Sequence, residues 1–293
     1  MSWHALAVHL TLQSDIHCGD FPLGFVARTH PYVPCHIPFF ALVPPAVALL
    51  GMRDVHASYK EVEELFSHCL RSTPFLIEEE RVLFPWVSED LQVIESSYLN
   101  ARYGVMLTDS TRSAKDGCLY ETEVIAATKR ASMCPTRLAG ALFVRAHTSK
   151  NLSIKEDGSL VSSTKTVTLA QLLARMRLGG DRTRALGLPA KAESAPLGKS
   201  LWGMEVDCTN TWPKLLVPKN TPGAFPLAME GVENIEGRPM MFTGRRYTER
   251  GAGLGMDKAQ AAYMPGWIRR NHPTPIALQA PRYATLCASQ DEA

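Results

Sequence analysis

"LLARMRLGGDRTRALG", Leu172 to Gly187, is the stretch on which the reading of this chain turns. Leu169, Leu172, Leu173 and Met176 stand at i, i+3, i+4 and i+7, a spacing that predicts a helix with one buried apolar face. Gly179 and Gly180 accept positive φ without cost and predict the end of that helix. Arg182, Arg184 and Gly187 follow. A Walker-type or dinucleotide-binding loop places its glycines before a helix, and the first also needs Lys-Ser/Thr; here the glycines come after it. The end of a helix carries the negative pole of its dipole. An anion bound there would therefore depend on the two arginine forks and on backbone N–H groups freed by glycine. The other reading of the same residues is a helix cap with a solvated basic turn.

Upstream, Leu6, Val8, Leu10 and Leu12 alternate with Ala5, Ala7, His9 and Thr11, which predicts a strand. "SDIHCGDFPLG", 14–24, reads as a glycine-punctuated turn. "YVPCHIPFFALVPPAVALLG", 32–51, has no charge; Pro44 and Pro45 break or start a helix there and Gly51 ends it. Tyr59 to Leu70 is an amphipathic helix with Val62, Leu65, Phe66 and Cys69 on one face. "RVLFPWV", "YGVMLT", "CLYETEVIAA" and "GALFVRAH" read as strands, and "DSTRSAKDG" carries turn chemistry. "NLSIKEDGSLVSST", 151–164, reads as a polar, exposed segment, and "PAKAESAPLGKS", 189–200, as a boundary.

The order strand, helix, strands, helix, strand suits an α+β fold of the ferredoxin-like (RRM-like) βαββαβ kind. The connection from Ser72 to Leu160 is too long for one turn and calls for a projecting β-hairpin. Two regions are expected: a ferredoxin-like domain over 1–190 and a β-rich C-terminal region over 191–293.

With 293 residues, 45% hydrophobic and 20% charged, the composition is that of an ordinary globular protein. Net charge is +2, but it is unevenly spread. Ten carboxylates lie between Asp54 and Glu95, while basic residues gather at Arg175 to Arg184, at Arg238 to Arg250 and at Arg269 and Arg270. Such a molecule suits a polyanion on one side and protein or solvent on the other, with Phe75, Leu83, Phe84 and Trp86 beside the acidic segment facing outward. No apolar run approaches the ~18 residues of a membrane span. Seven cysteines without framework spacing fit reduced thiols, so a cytoplasmic protein without membrane contact is expected.

Three segments, taken in order, resemble the CRISPR-associated RAMP superfamily. "SDIHCGD" followed by "YVPCHIPFFAL" is similar to that family's His-x-Gly turn and Tyr-Ile-Pro-Gly segment, with Cys35 in the place of the last glycine. "DSTRSAKDGCLYETEVI" is similar to the family's hairpin segment, through Arg112, Ala114, Gly117, Leu119, Tyr120 and Glu123. "GGDRTRALG" is similar to its glycine-rich loop, with Ala185 replacing a glycine. "GRRYTERGAGLG" and "AYMPGWI" look like elements of the subunit that binds and caps the 5′ handle of the guide RNA (the Cas-five family) in type III and the related type VII effectors. The resemblance covers about the first two-thirds of the chain.

The resemblance implies an RNA-binding structural subunit, not an enzyme and without a cofactor. It would bind the CRISPR guide RNA at its 5′ handle, cap the filament of backbone RAMP subunits, and meet target RNA only indirectly. A large subunit or a separate nuclease would be a further neighbour. The C-terminal region could be a second, degenerate RAMP-like half. RNA-binding residues on this reading are His17, Gly19, Arg28, Arg112, Lys115, Gly179, Gly180, Arg182, Arg184, Gly187, Arg245, Arg246, Tyr247 and Arg250. Arg245, Arg246, Tyr247 and Arg250 interleave cations with an aromatic, as single-stranded RNA sites do, and equally fit an exposed turn. The alternative is a metal-independent endoribonuclease that processes the repeat, with His17, His36 and Tyr32 in acid–base roles. His17-Cys18 and Cys35-His36 do not read as a metal site, because adjacent pairs rarely both reach one tetrahedral ion.

Overall fold

The alternating segment at the N-terminus forms β1 (His4–Thr11), with Val8 and Leu10 buried. A short hairpin follows, β2 (Gly19–Leu23) and β3 (Val26–Thr29), then α1 (His36–Ala41), α2 (Val43–Leu50) and α3 (Val55–Cys69). Next come β4 (Leu70–Ser72), β5 (Leu76–Glu78), α4 (Ser88–Ser97), β6 (Leu99–Leu107), β7 (Ala114–Ile125) and β8 (Arg137–Val144). Four small strands, β9 (His147–Thr148), β10 (Leu152–Ile154), β11 (Leu160–Ser162) and β12 (Thr166–Val167), precede α5 (Leu169–Leu173). β13 (Lys191–Pro196), β14 (Ser200–Leu201) and β15 (Met204–Asp207) follow. This computed structural model describes residues 3–23, 26–34, 36–52, 55–85, 88–107, 114–149, 151–178, 191–208 and 213–217, with short strands between 224 and 289.

The chain is α+β, built mostly on antiparallel strand pairs. The central sheet runs in the order β13-β1-β8-β4, with β5 also on β8. β1 pairs β8 from His4↔Val144 to Thr11↔Arg137, and β13 from Leu6↔Pro196 to Thr11↔Lys191, both antiparallel. Between β4 and β5 the ladder is carried by Thr73, whose N–H donates to Ala141 O at 3.0 Å and whose Oγ1 accepts the Ala141 N–H at 2.8 Å. Pro74, which has no N–H, sits where no ladder donor is needed.

One core layer joins this sheet to the helices. Val8, Leu10, Leu142 and Val144 from the strands meet Leu65 and Phe66 of α3 and Leu172 and Leu173 of α5. The opposite face carries Trp3, Ala141, Phe143 and Leu201, packed by Phe84 and Trp202. The uncharged stretch splits as proline chemistry requires. Pro44 and Pro45 occupy the first turn of α2, where their missing N–H groups cost nothing, and Gly51 closes it at φ +67°. Lys165 Nζ lies 3.4 Å from Leu49 O at that end, a cation at the negative pole of the helix.

Several sequence expectations are corrected. Gly19–Leu23 is a strand, not part of a turn, because it pairs with β3. "RVLFPWV" makes only an isolated bridge from Val82 to Glu78, since Arg81 and Phe84 are committed to Asp90 at the start of α4. The polar segment 151–164 is not wholly exposed: Leu152, Ile154 and Leu160 alternate inward from β10 and β11 and are buried in the core. α5 ends at Leu173, well before Gly179, although Met176 and Leu178 remain buried beyond it. Phe75 and Leu83 do not face outward; they are core residues, and Phe84 packs on Trp202. Trp86 lies outside the described residues.

A second four-stranded sheet runs β2-β3-β7-β6. Its main part is the long hairpin β6–β7, paired from Leu99↔Ile125 to Leu107↔Ala114. It falls within the long connection where the sequence calls for a hairpin. β3 runs parallel to β7 through Val26↔Glu121 and Ala27↔Thr122, which places the N-terminal hairpin beside the base of the long one. The stretch read as a boundary, 189–200, contributes β13, the outer strand next to β1.

Candidate functional site

After β1 the chain does not leave the sheet freely. Leu12 N–H donates to Thr136 O at 2.9 Å. Ile16 and Ile125 exchange both backbone hydrogen bonds, at 3.0 and 2.8 Å. Asp15 fastens the same turn: its carboxylate accepts from the Ala127 N–H at 2.7 Å and from Arg102 Nη2 at 2.8 Å. The turn 12–18 is thereby laid against the end of β7.

His17 follows and is 5% exposed. Its Nδ1 lies 2.7 Å from the carbonyl oxygen of Glu123. A carbonyl only accepts, so Nδ1 carries the proton, and in the neutral ring Nε2 is left as an acceptor. Nε2 points toward Gly19, where a Cβ would stand 3.4 Å from it. Cys18 is held from both sides. Its N–H donates to Thr29 Oγ1 at 2.9 Å, and its carbonyl accepts from His30 N–H at 2.7 Å. Burial pushes the Cys18 thiol up to about 12, so it stays a neutral, unreactive thiol.

Glu123 completes the cluster. Its Oε2 accepts the Thr29 N–H at 3.1 Å and lies 3.9 Å from Arg28 Nε. Arg28 is half-exposed on β3. Register puts Glu121, Glu123 and Tyr103 on one face of the hairpin, through Tyr103↔Glu121 and Ala101↔Glu123. Tyr103 is 73% exposed.

Three of the residues proposed from sequence therefore come together: His17, Gly19 and Arg28 meet at the junction of the N-terminal hairpin with β7. Lys115 lies on β7 near the far end of the long hairpin, away from that junction. Arg245 and Arg246 form a two-residue strand paired with Met256 and Gly255. Arg112, Gly179, Gly180, Arg182, Arg184, Gly187, Tyr247 and Arg250 lie outside the described residues. In the nuclease alternative, Tyr32 is 1% exposed and packs at 5.3 Å from the His30 ring, while His36 opens α1. Sequence reasoning did not single out Thr29, Glu123 and Tyr103 as site residues. Glu123 stood in a recognised motif, but only the fold shows that its backbone carbonyl, not its charge, orients His17.

No family model matches the chain, and no curated protein matches it. Among solved structures it is similar to a chain of the type III-B Cmr-beta complex bound to cognate target RNA. That likeness has 12% identity and a TM-score of 0.39, over 67% of this chain and 61% of the other. A chain of the same complex bound to cognate target RNA and AMPPnP is similar at 10% identity and a TM-score of 0.31, over 47% of this chain and 54% of the other. The chain spans between about half and three-fifths of the solved chains it matches.

Proposed function

We propose that this protein is an RNA-binding structural subunit of a type III-like or type VII CRISPR effector ribonucleoprotein, of the RAMP kind, binding the 5′ handle of the guide RNA and capping the filament of backbone subunits. One observation carries the reading. Two segments that resemble family motifs, the His17-x-Gly19 turn and the hairpin strand with Glu123, lie 106 residues apart and are joined by the bond from His17 Nδ1 to Glu123 O. The strand order β13-β1-β8-β4, numbered as four strands of a βαββαβ unit, reads 4-1-3-2 with helices after the first and third, which supports the ferredoxin-like arrangement. The glycine loop and the basic C-terminal segments would supply phosphate contacts, which position RNA without reading its sequence. Guide RNA and the neighbouring effector subunits are the partners on this reading, in the cytoplasm, and RNA is held without being cut.

The test is binding of the full chain to a single-stranded RNA of repeat-derived handle sequence across a salt series. Affinity should fall steeply with salt, because bound phosphates release counterions. In the double variant Arg182→Ala, Arg184→Ala, affinity should drop and the salt slope should flatten by about two ion equivalents. Absence of RNA binding by the folded full chain would refute the reading. RNA recovered in shortened form after incubation would refute the binding-only role and favour the nuclease.

A further inference from the structure

The geometry points to His17 Nε2 as a hydrogen-bond acceptor for a ribose 2′-hydroxyl, so that the turn at Gly19 distinguishes RNA from DNA. This deepens the RNA-binding reading and rests on it.

The imidazole is a nearly buried polar group with one face of its chemistry unused. Nδ1 is engaged by Glu123 O at 2.7 Å, which fixes both ring orientation and tautomer. Among the described residues no group hydrogen-bonds to Nε2. Nε2 is not sealed from solvent: held in place through Nδ1, it is an acceptor that a ligand donor can reach. The approach is open because residue 19 has no side chain: a Cβ there would stand 3.4 Å from Nε2 and cover it. Gly19 is itself exposed on the first residue of β2.

The surroundings decide which ligand atom fits. Phosphate oxygens are acceptors only, and a neutral Nε2 offers them nothing. The described face beside it carries Arg28 against Glu121 and Glu123, one cation and two carboxylates, so its field does not draw phosphate to this point. An amino group of a base would be taken by those carboxylates, which are stronger acceptors than a neutral imidazole. A hydroxyl is the donor that suits a neutral nitrogen, and the 2′-hydroxyl is the hydroxyl that an RNA strand presents at every nucleotide and DNA lacks.

The experiment uses the full chain with three probes of one handle sequence: all-RNA, the same strand as DNA, and RNA with base changes. Wild type should bind RNA about three- to tenfold more tightly than DNA, the net worth of one hydrogen bond. Gly19→Val covers Nε2 without touching the His17–Glu123 bond and should bring RNA affinity down toward that for DNA. His17→Phe should do the same. Thermal melts of both variants establish that they are folded, and the valine variant stands as the test if the phenylalanine variant is not. Equal binding of RNA and DNA by wild type would overturn the inference while leaving the RNA-binding reading intact. So would a sugar preference that survives in folded Gly19→Val, or a base preference in its place. Failure to bind any of the three probes would overturn both.

Discussion

The ring of Phe75 packs against the bare backbone of Gly140: a Cβ at Gly140 would lie 2.8 Å from both Cγ and Cδ1 of that ring. Gly140 sits in the middle of β8, opposite Val8 of β1, and Phe75 is fully buried. Glycine in a central strand is otherwise a weakness; here it makes room for the Phe75 ring. Gly140→Ala should therefore destabilise by about 1–3 kcal/mol through overpacking. In a Phe75→Leu background the same change should cost clearly less, because the two sites share the space. Urea unfolding of the four proteins measures this. An equal cost in both backgrounds would mean that Phe75 is not what excludes a side chain at Gly140.

Asp90 anchors the chain ahead of α4. Its carboxylate accepts from both Nη atoms of Arg81 and from the Phe84 N–H at 2.8 Å, and the residue is 2% exposed. The hydrogen bond from Arg81, then the backbone bond from Phe84, hold its carboxyl below the usual range. Glu79 is lowered as well, by hydrogen bonds from Lys129 and then Tyr98. Carboxyls more acidic in the folded state give stability that is complete above about pH 4 and is lost as pH falls through their folded values. Stability should thus decline below about pH 4. Asp90→Asn should lower stability at pH 7 by about 1–3 kcal/mol and flatten the acid limb. Denaturant midpoints from pH 7 to 2 would test it, and an unchanged acid limb in the variant would count against the pairing.

Thiol reactivity should follow burial. Cys18 and Cys69 are buried, and desolvation pushes both thiols up to about 12. Cys134 is exposed. The thiolate is the reactive species, so brief alkylation of the native protein at pH 8, mapped by peptide mass spectrometry, should label Cys134 and spare Cys18 and Cys69 until denaturant is added. Rapid native labelling of Cys18 would place the turn beside His17 in solvent and contradict the packing described.

Tyr103 offers an exposed ring on the same hairpin face as Glu121 and Glu123. Tyr103→Ala removes no core contact and should change stability by less than about 0.5 kcal/mol. If RNA lies along this face, the variant should bind single-stranded RNA more weakly by about 1–3 kcal/mol, the worth of one stacked base. Unaltered affinity would take the RNA path off this face of the hairpin.

The elements with strong periodicity were legible from sequence alone. Alternation from Ala5 to Leu12, the apolar stripe Val62, Leu65, Phe66 and Cys69, and the Pro44-Pro45 start with its Gly51 stop all describe what the structure contains, because each is a local rule about which residues face one side. His17, Gly19 and Arg28 are candidates only through the resemblance to family motifs, not through a local rule. What local rules could not supply is partnership across the chain. Gly19–Leu23 reads as a turn until β3 and β7 lie beside it, and Leu152, Ile154 and Leu160 read as part of a polar segment until the helices give them a core to enter. The tautomer of His17 depends on a carbonyl 106 residues away. A backbone acceptor has the same chemistry at every residue, so no sequence pattern announces which one will be used; only the folded position of Glu123 decides it.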